Sequence, residues 1–189
     1  AVGAQPSSGD EWVEQRCLRF GSETDPPENT MVRGQPLVCQ KAYMRVTFFA
    51  LGLLDRPPGQ GLAILLVGLG AGQLTHLWRR HLPRTPGQTH TIHCVEKHAE
   101  VVELARAHFD LEQAAEGVEV TVRVQDGQAA LQQAAAASYD LVVVDLSVGS
   151  FVDAATCRDL RRVLRPGGVC VHNYVSHRWF PRDGKTRLR

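Results

Sequence analysis

Residues 63–75 constrain the fold more than any other stretch: Ala-Ile-Leu-Leu-Val is followed by Gly-Leu-Gly-Ala-Gly and then Gln-Leu-Thr. An unbroken apolar run of this length suits a strand buried on both faces and is too short for a helix. Gly68, Gly70 and Gly72 let the backbone turn sharply and pass close to a ligand. The amides that open the next helix favour a polar or anionic group. A strand, a glycine turn and a helix start are expected, and tight helix-to-sheet packing is the structural alternative for the same glycines. The dinucleotide fingerprint Gly-x-Gly-x-x-Gly would place a glycine where this chain has Gln73.

Downstream, strands and helices alternate. Residues 91–96 read as a second strand ending at Glu96, and a helix over 98–109 turns Val102, Ala105 and Phe109 inward. Val118, Val120, Val122 and Val124 alternate with polar residues, the pattern of an edge strand with one wet face, and Asp126-Gly127 follows. An alanine-rich helix runs through Ala137, and residues 140–145 form a buried strand that brings Asp145 out beside the glycine turn. A helix over 152–164 and the turn Arg165-Pro166-Gly167-Gly168 lead into a fifth strand over 169–174. The expected fold is α/β, a Rossmann-like doubly wound sheet over 39–174 with right-handed crossovers. Counted within this unit, strand order 3-2-1-4-5 puts the alternating strand at an edge and the apolar strands 1 and 4 in the middle. Ligands of such sheets bind outside the carboxyl ends of the strands at the switch point, where Gly68, Glu96, Asp126 and Asp145 converge.

Glu96 sits where an acidic residue hydrogen-bonds ribose hydroxyls, and a helix-capping surface acid is its alternative. Asp126 suits a helix N-cap as well as a ligand contact, and the two roles can coexist. Residues 1–10 lack periodicity and are expected to be disordered, and 11–38 form a β-hairpin that covers a pocket or packs on the sheet edge. A helix over 39–54 directs Ala42, Val46, Phe49, Ala50 and Leu53 against the first strand, and Arg56-Pro57-Pro58-Gly59 stops it. Arg79 and Arg80 read as solvated surface. Arg158, Arg161, Arg162 and Arg165 read as a solvated helix face, with an acidic-partner site as the alternative, and 175–189 is a short basic tail.

Composition excludes several classes. Twenty-one basic against twenty acidic residues give a formal net charge of +1, unlike a non-specific nucleic-acid binder. No apolar run reaches the roughly 20 residues of a membrane span and no signal pattern opens the chain, so an intracellular, cytoplasmic protein is expected. The five cysteines form no Cys-x-x-Cys pair, and His90 and His93 lack a second ligand pair, so no metal site is expected.

Over 61–174 the chain resembles the class I S-adenosylmethionine-dependent methyltransferases. The residues that carry the likeness are Val67-Gly68-Leu69-Gly70-Ala71-Gly72, Glu96, Asp126-Gly127, Asp145 and the turn Leu164-Arg165-Pro166-Gly167-Gly168. Within that superfamily the hairpin, the helix opening Cys39-Gln40-Lys41-Ala42-Tyr43 and the Asp145 loop resemble the spermidine synthase-like branch, and in it the family of methyltransferase-like protein 13, which methylates protein amines. The resemblance implies S-adenosylmethionine as cofactor. Gly68, Gly70 and Gly72 would pass under its methionine part, Glu96 would hold the ribose, and Asp126-Gly127 the adenine. Asp145 would lie at the cofactor and act catalytically by steering or deprotonating an amine, with Gln40, Tyr43 and Ser147 on the substrate side. Aminopropyltransferases of this branch carry a second aspartate where this chain has Val148, which argues against polyamine synthesis. The family's C-terminal strands 6 and 7 are missing from the pattern. That leaves a strand-5 edge expected to be covered by self-association or a partner. The acceptor implied is a protein or small amine, and a non-catalytic methyltransferase-like interaction module is the alternative.

Overall fold

The computed structural model describes residues 2–6, 12–19, 29–32, 42–55, 59–112, 114–146 and 153–173. The chain opens on strands β1 (Val2–Pro6), β2 (Trp12–Leu18) and β3 (Asn29–Val32), an antiparallel sheet in the order β1-β2-β3. The expectation of disorder before residue 11 is corrected by β1, which pairs with β2 from Val2 opposite Arg16 to Pro6 opposite Trp12. Helix α1 (Ala42–Phe49) tightens into a 3-10 turn over Ala50–Leu53. Next come β4 (Ala63–Val67), α2 (Gln73–His81), β5 (His90–Glu96), α3 (Ala99–His108), β6 (Val118–Val124), α4 (Gly127–Gln133), β7 (Tyr139–Asp145), α5 (Ala154–Val163) and β8 (Leu164–Asn173).

The second sheet runs β6-β5-β4-β7-β8, and every pairing in it is parallel. Its numbering differs from an order counted within this sheet alone because three strands precede it. Period-two alternation explains how one apolar strand serves two cores. On β4 and β7, Ile64, Leu66, Leu141 and Val143 face a cluster with Leu74, Leu77, Trp78, Val102 and Ala105. Their neighbours Leu65, Val67, Val142 and Val144 face Leu131, Leu160 and Val163 on the other side. Such two-faced burial makes truncation costly, about 2–5 kcal/mol for a Leu→Ala change in the middle of the sheet. Cys94 lies in the first cluster, where burial pushes its thiol up to about 12, consistent with a small inert core residue.

Three helix readings need correction. On α1 and its 3-10 turn, Val46, Phe49 and Leu53 are exposed, whereas Met44, Thr47 and Ala50 are buried. Arg79 is buried and donates to the Leu111 carbonyl, so only Arg80 fits the solvated reading. Arg162 donates to the carbonyls of Leu131, Gln132 and Ala134, closing the end of α4, and Arg165 pairs with buried Asp140 at 2.8 Å. Helix α4 also stops at Gln133, short of the expected Ala137, which takes a positive φ of 49°. The Arg165-to-Gly168 turn bulges within β8: Tyr139 faces Leu164, but Leu141 faces Val169.

Candidate functional site

The glycine turn fits a strand that ends against two neighbours. Gly68 has φ +93°, and its amide donates to the Val95 carbonyl at 2.9 Å. An added Cβ at Gly68 would collide with the Asp145 carbonyl, so the absence of a side chain lets the ends of β4, β5 and β7 close together. Gly70 and Gly72 have φ +53° and +76°, and a Cβ on Gly72 would lie 2.8 Å from Leu111 Cδ1. Packing therefore accounts for Gly68 and Gly72, and the resulting loop presents its backbone beside the carboxyl ends of the strands.

Glu96 closes β5 and spans two backbones. Its Oε2 accepts from the Leu69 amide and its Oε1 from the His98 amide, both at 3.1 Å. The carboxylate thus ties the glycine turn to the residue that precedes α3, without capping that helix, whose N-cap is His98. Asp126 caps α4 through Oδ1, accepting from Gln128 and Ala129 at 3.0 and 3.2 Å. Its Oδ2 lies 3.8 Å from Lys97 Nζ across an exposed gap, and Gly127 is the first residue of the helix. The N-cap is realised with one oxygen, leaving the second oriented away from the helix amides.

Asp145 ends β7 half-buried. Tyr43 Oη, on α1, donates to Asp145 Oδ2 at 3.1 Å, and Asn173 Nδ2, at the end of β8, donates to Oδ1 at 2.8 Å. The structure thus brings Tyr43 to Asp145 across 102 residues and adds Asn173, which the sequence reading missed. Topology carried part of the signal: β7 and β8 are neighbours, and their register sets Asp145 opposite Asn173, one residue before the expected end of the strand at 174. Gln40 and Ser147 lie outside the described residues, as does Val148.

Gln73, which breaks the dinucleotide spacing, has a structural task. Its Nε2 donates to the Thr30 carbonyl at 2.5 Å, fastening β3 to the start of α2. Leu18 and Met31 of the first sheet pack with Ala71, Val101 and Phe109. The described N-terminal strands pack against the glycine turn and α3 rather than on an edge of the second sheet.

The donor and acceptor chemistry fits an adenosine-bearing ligand. Carboxylates follow β5 and β6 at Glu96 and Asp126, matching hydroxyl and amino donors, and the glycine backbone lies between Glu96 and Asp145. A model of a methyltransferase domain matches residues 64–168. Three solved structures share the fold. A probable spermidine synthase from Corynebacterium glutamicum is 23% identical, with TM-score 0.62, over 90% of this chain and 59% of its own. Human methyltransferase-like protein 13, solved in complex with SAH, is 24% identical, with TM-score 0.57, over 68% of this chain and 62% of its own. Precorrin 8w decarboxylase from Methanobacterium thermoautotrophicum is 20% identical, with TM-score 0.52, over 76% and 69% of the two chains. The chain therefore spans about three fifths of the length of the first two. No curated protein matches it significantly.

Proposed function

Because the chain belongs to the methyltransferase domain family, matched over residues 64–168, we propose that it transfers a methyl group to an amine, on a protein or a small molecule. S-adenosylmethionine is the cofactor, and when bound it supplies a methyl group activated by the adjacent sulfonium. The observation that carries the proposal is a carboxylate at or just beyond the carboxyl end of each of β5, β6 and β7, Glu96, Asp126 and Asp145, in a sheet whose β4 ends in a turn with three glycines at positive φ.

Displacement at a methyl carbon needs donor and acceptor held in line and water kept out, so few side chains take part in the chemistry. Glu96 would accept from ribose hydroxyls and Asp126 Oδ2 from the adenine amino group. Gly68, Gly70 and Gly72 supply backbone without side-chain bulk beneath the methionine part. Asp145, oriented by Tyr43 and Asn173, would draw in a cationic amine and accept its proton directly or through water before attack. Gln40 and Ser147 belong to the substrate side of this proposal. Within the superfamily, the helix opening Cys39-Gln40-Lys41-Ala42-Tyr43, the Asp126-Gly127 pair and the Asp145 loop favour the spermidine synthase-like branch and the family of methyltransferase-like protein 13. Val148 stands against the aminopropyl-transferring members of that branch.

The proposal includes an intracellular setting and a second copy or partner along the outer edge of β8. Among the described residues no helix is long and apolar enough to cross a membrane. Calorimetric titration with S-adenosylhomocysteine tests the cofactor pocket, with NAD and decarboxylated S-adenosylmethionine as controls. Micromolar binding of the first alone is expected, followed by incorporation of labelled methyl groups into amines of an extract. No binding by a folded sample would overturn the pocket. Binding without transfer to any acceptor would leave an interaction module.

A further inference from the structure

We infer that Cys157 on α5 and Cys170 on β8 form a dithiol that a low-molecular-weight disulfide of the glutathione type converts reversibly into an intramolecular disulfide, stapling the edge strand of the second sheet to its helix. None of the residues assigned to the cofactor or the acceptor takes part.

Three features of the packing bring the two sulfurs together. The first is the face of the sheet. Val169 and Val171 pack with the first cluster, so Cys170 between them points to the opposite face, where its register partner Val142 meets Leu160 and Val163 of α5. The second is the flank of the helix. Arg162 reaches the last carbonyls of α4, which lies against β5, so that flank of α5 is turned toward the middle of the sheet. At about 100° per residue, Cys157 stands on the other flank, with Leu160 and Val163 between, and that flank overhangs β8. The third is height. The Val163 carbonyl accepts from the Ser138 amide at 2.9 Å, just before β7 begins. Because α5 runs antiparallel to the strands, counting back along it places Cys157 about 9 Å above that level. Counting along β7 places Val142, with Cys170 beside it, about 13 Å above the same level. The difference is within the roughly 4–7 Å between the Cα atoms of a disulfide.

Both thiols are free and exposed. The inner side of Cys170 is nevertheless desolvated, which pushes its thiol up to about 11, and the nearby Cys157 thiol adds to the rise. That asymmetry orders the exchange, since a raised thiol is a poor nucleophile toward a reagent in solution. The Cys157 thiolate attacks one sulfur of the oxidised reagent, breaking its S–S bond and releasing one thiolate. Cys170 then gives up its proton and attacks the Cys157 sulfur of the mixed disulfide, releasing the second thiolate. This second attack is intramolecular and gains from a high effective concentration. Two protein thiols are oxidised, one reagent disulfide is reduced to two thiols, and the two cysteine protons end on them. Disulfides of this kind inside cells are transient and redox-sensing.

Equilibration of the full chain in glutathione buffers of rising oxidised fraction, followed by acid quenching, non-reducing digestion and mass spectrometry, tests the pair. A cross-linked peptide joining Cys157 to Cys170 is expected, and dithiothreitol should reverse it. In Cys170→Ser, Cys157 should stop as its mixed disulfide with glutathione. In Cys157→Ser, Cys170 should remain mostly reduced in the same buffers. Closing a loop of this length should raise the melting temperature by about 5 °C or more. Separate glutathione adducts on Cys157 and Cys170 without a cross-link would overturn the inference. A cross-link from either one to Cys17, Cys39 or a second copy of the chain would do the same. So would a melting temperature that falls as the cross-link forms, because the fold would then not hold the sulfurs at bonding distance. A Cys170 that reacts as fully in Cys157→Ser as in the parent would overturn the order of attack and with it the paired site.

Discussion

Strand β7 carries a carboxylate towards each end, Asp140 as its second residue and Asp145 as its last, and the two are held in opposite ways. Asp140 is fully buried, and its Oδ2 accepts from the Ala63 amide at 2.7 Å and the Arg165 guanidinium at 2.8 Å. It joins the amino end of β4 to β8 with a cation drawn from the fold itself. Asp145, half-buried, is oriented by a phenol and an amide, both neutral. The same residue type on one strand therefore serves architecture at one end and, in the proposed function, a ligand site at the other. What separates them is the chemistry of the groups that hold them, more than burial alone. That division agrees with the general placement of ligands outside the carboxyl ends of parallel strands.

Loss of Asp145 draws the sharpest contrast. Asp145→Ala should slow methyl transfer by about a hundredfold or more, the range for a positioned acid-base group. Its urea midpoint should correspond to less than about 1.5 kcal/mol of lost stability, since the side chain is half-buried and its hydrogen bonds from Tyr43 and Asn173 can be replaced by water. A larger stability loss would merge Asp145 with the architectural class. Asp140→Ala should do the reverse, leaving S-adenosylhomocysteine affinity intact while lowering stability. Removing one partner of a buried pair costs about 3–5 kcal/mol when the survivor stays buried. Arg165 is 37% exposed and can be solvated. About 2–3 kcal/mol is therefore the expected loss. A urea titration showing no change would mean that the ion pair contributes nothing to the fold.

The same contrast explains what could be read from the chain. The carboxyl ends of the strands were legible because buried strands, glycines and terminal acids are local patterns, so Gly68, Glu96, Asp126 and Asp145 could be placed beside one another without contacts. Groups whose partners come from distant elements were not. Arg79 reads as surface until Leu111, 32 residues away, brings its carbonyl to the guanidinium. Arg162 reads as a solvated helix face until the end of α4 arrives beneath it. On α1 the error has a different cause. Tyr43, Met44, Val46, Phe48 and Phe49 surround an eight-residue helix with apolar groups, so periodicity does not select one face. The structure buries Met44 and leaves Val46 and Phe49 outward. Asn173 lay within reach, because a parallel neighbour must place a residue opposite Asp145, but its amide carries no motif.

Asp126 combines both classes in one side chain, so two substitutions can divide it. Asp126→Ala removes the cap of α4 and should cost about 1 kcal/mol of stability along with donor affinity. Asparagine is as good an N-cap as aspartate, so Asp126→Asn should keep the stability. It should still weaken S-adenosylhomocysteine about tenfold in calorimetry, because the oxygen proposed to meet the adenine amino group becomes an NH2. Equal affinities in parent and Asp126→Asn would confine Asp126 to capping.

The smallest expected effect tests whether pH acts on the architecture through a buried group outside the carboxylate row. His76 is buried on α2 with Nε2 2.7 Å from the Phe109 carbonyl, and desolvation lowers its pKa from the ordinary 6.5 despite that bond. A histidine whose folded pKa is depressed stays neutral in the fold while the unfolded chain takes up a proton. Between the depressed value and 6.5 the unfolded state therefore binds more protons, and stability rises with pH in that window. Acidification below 6.5 should lower the melting temperature, with the loss complete once pH passes the folded value. In His76→Gln the amide can still donate to Phe109 but does not titrate, so the slope of melting temperature against pH below 6.5 should become shallower than in the parent. Identical slopes would show that another group, rather than this buried imidazole, sets the acid sensitivity of the fold.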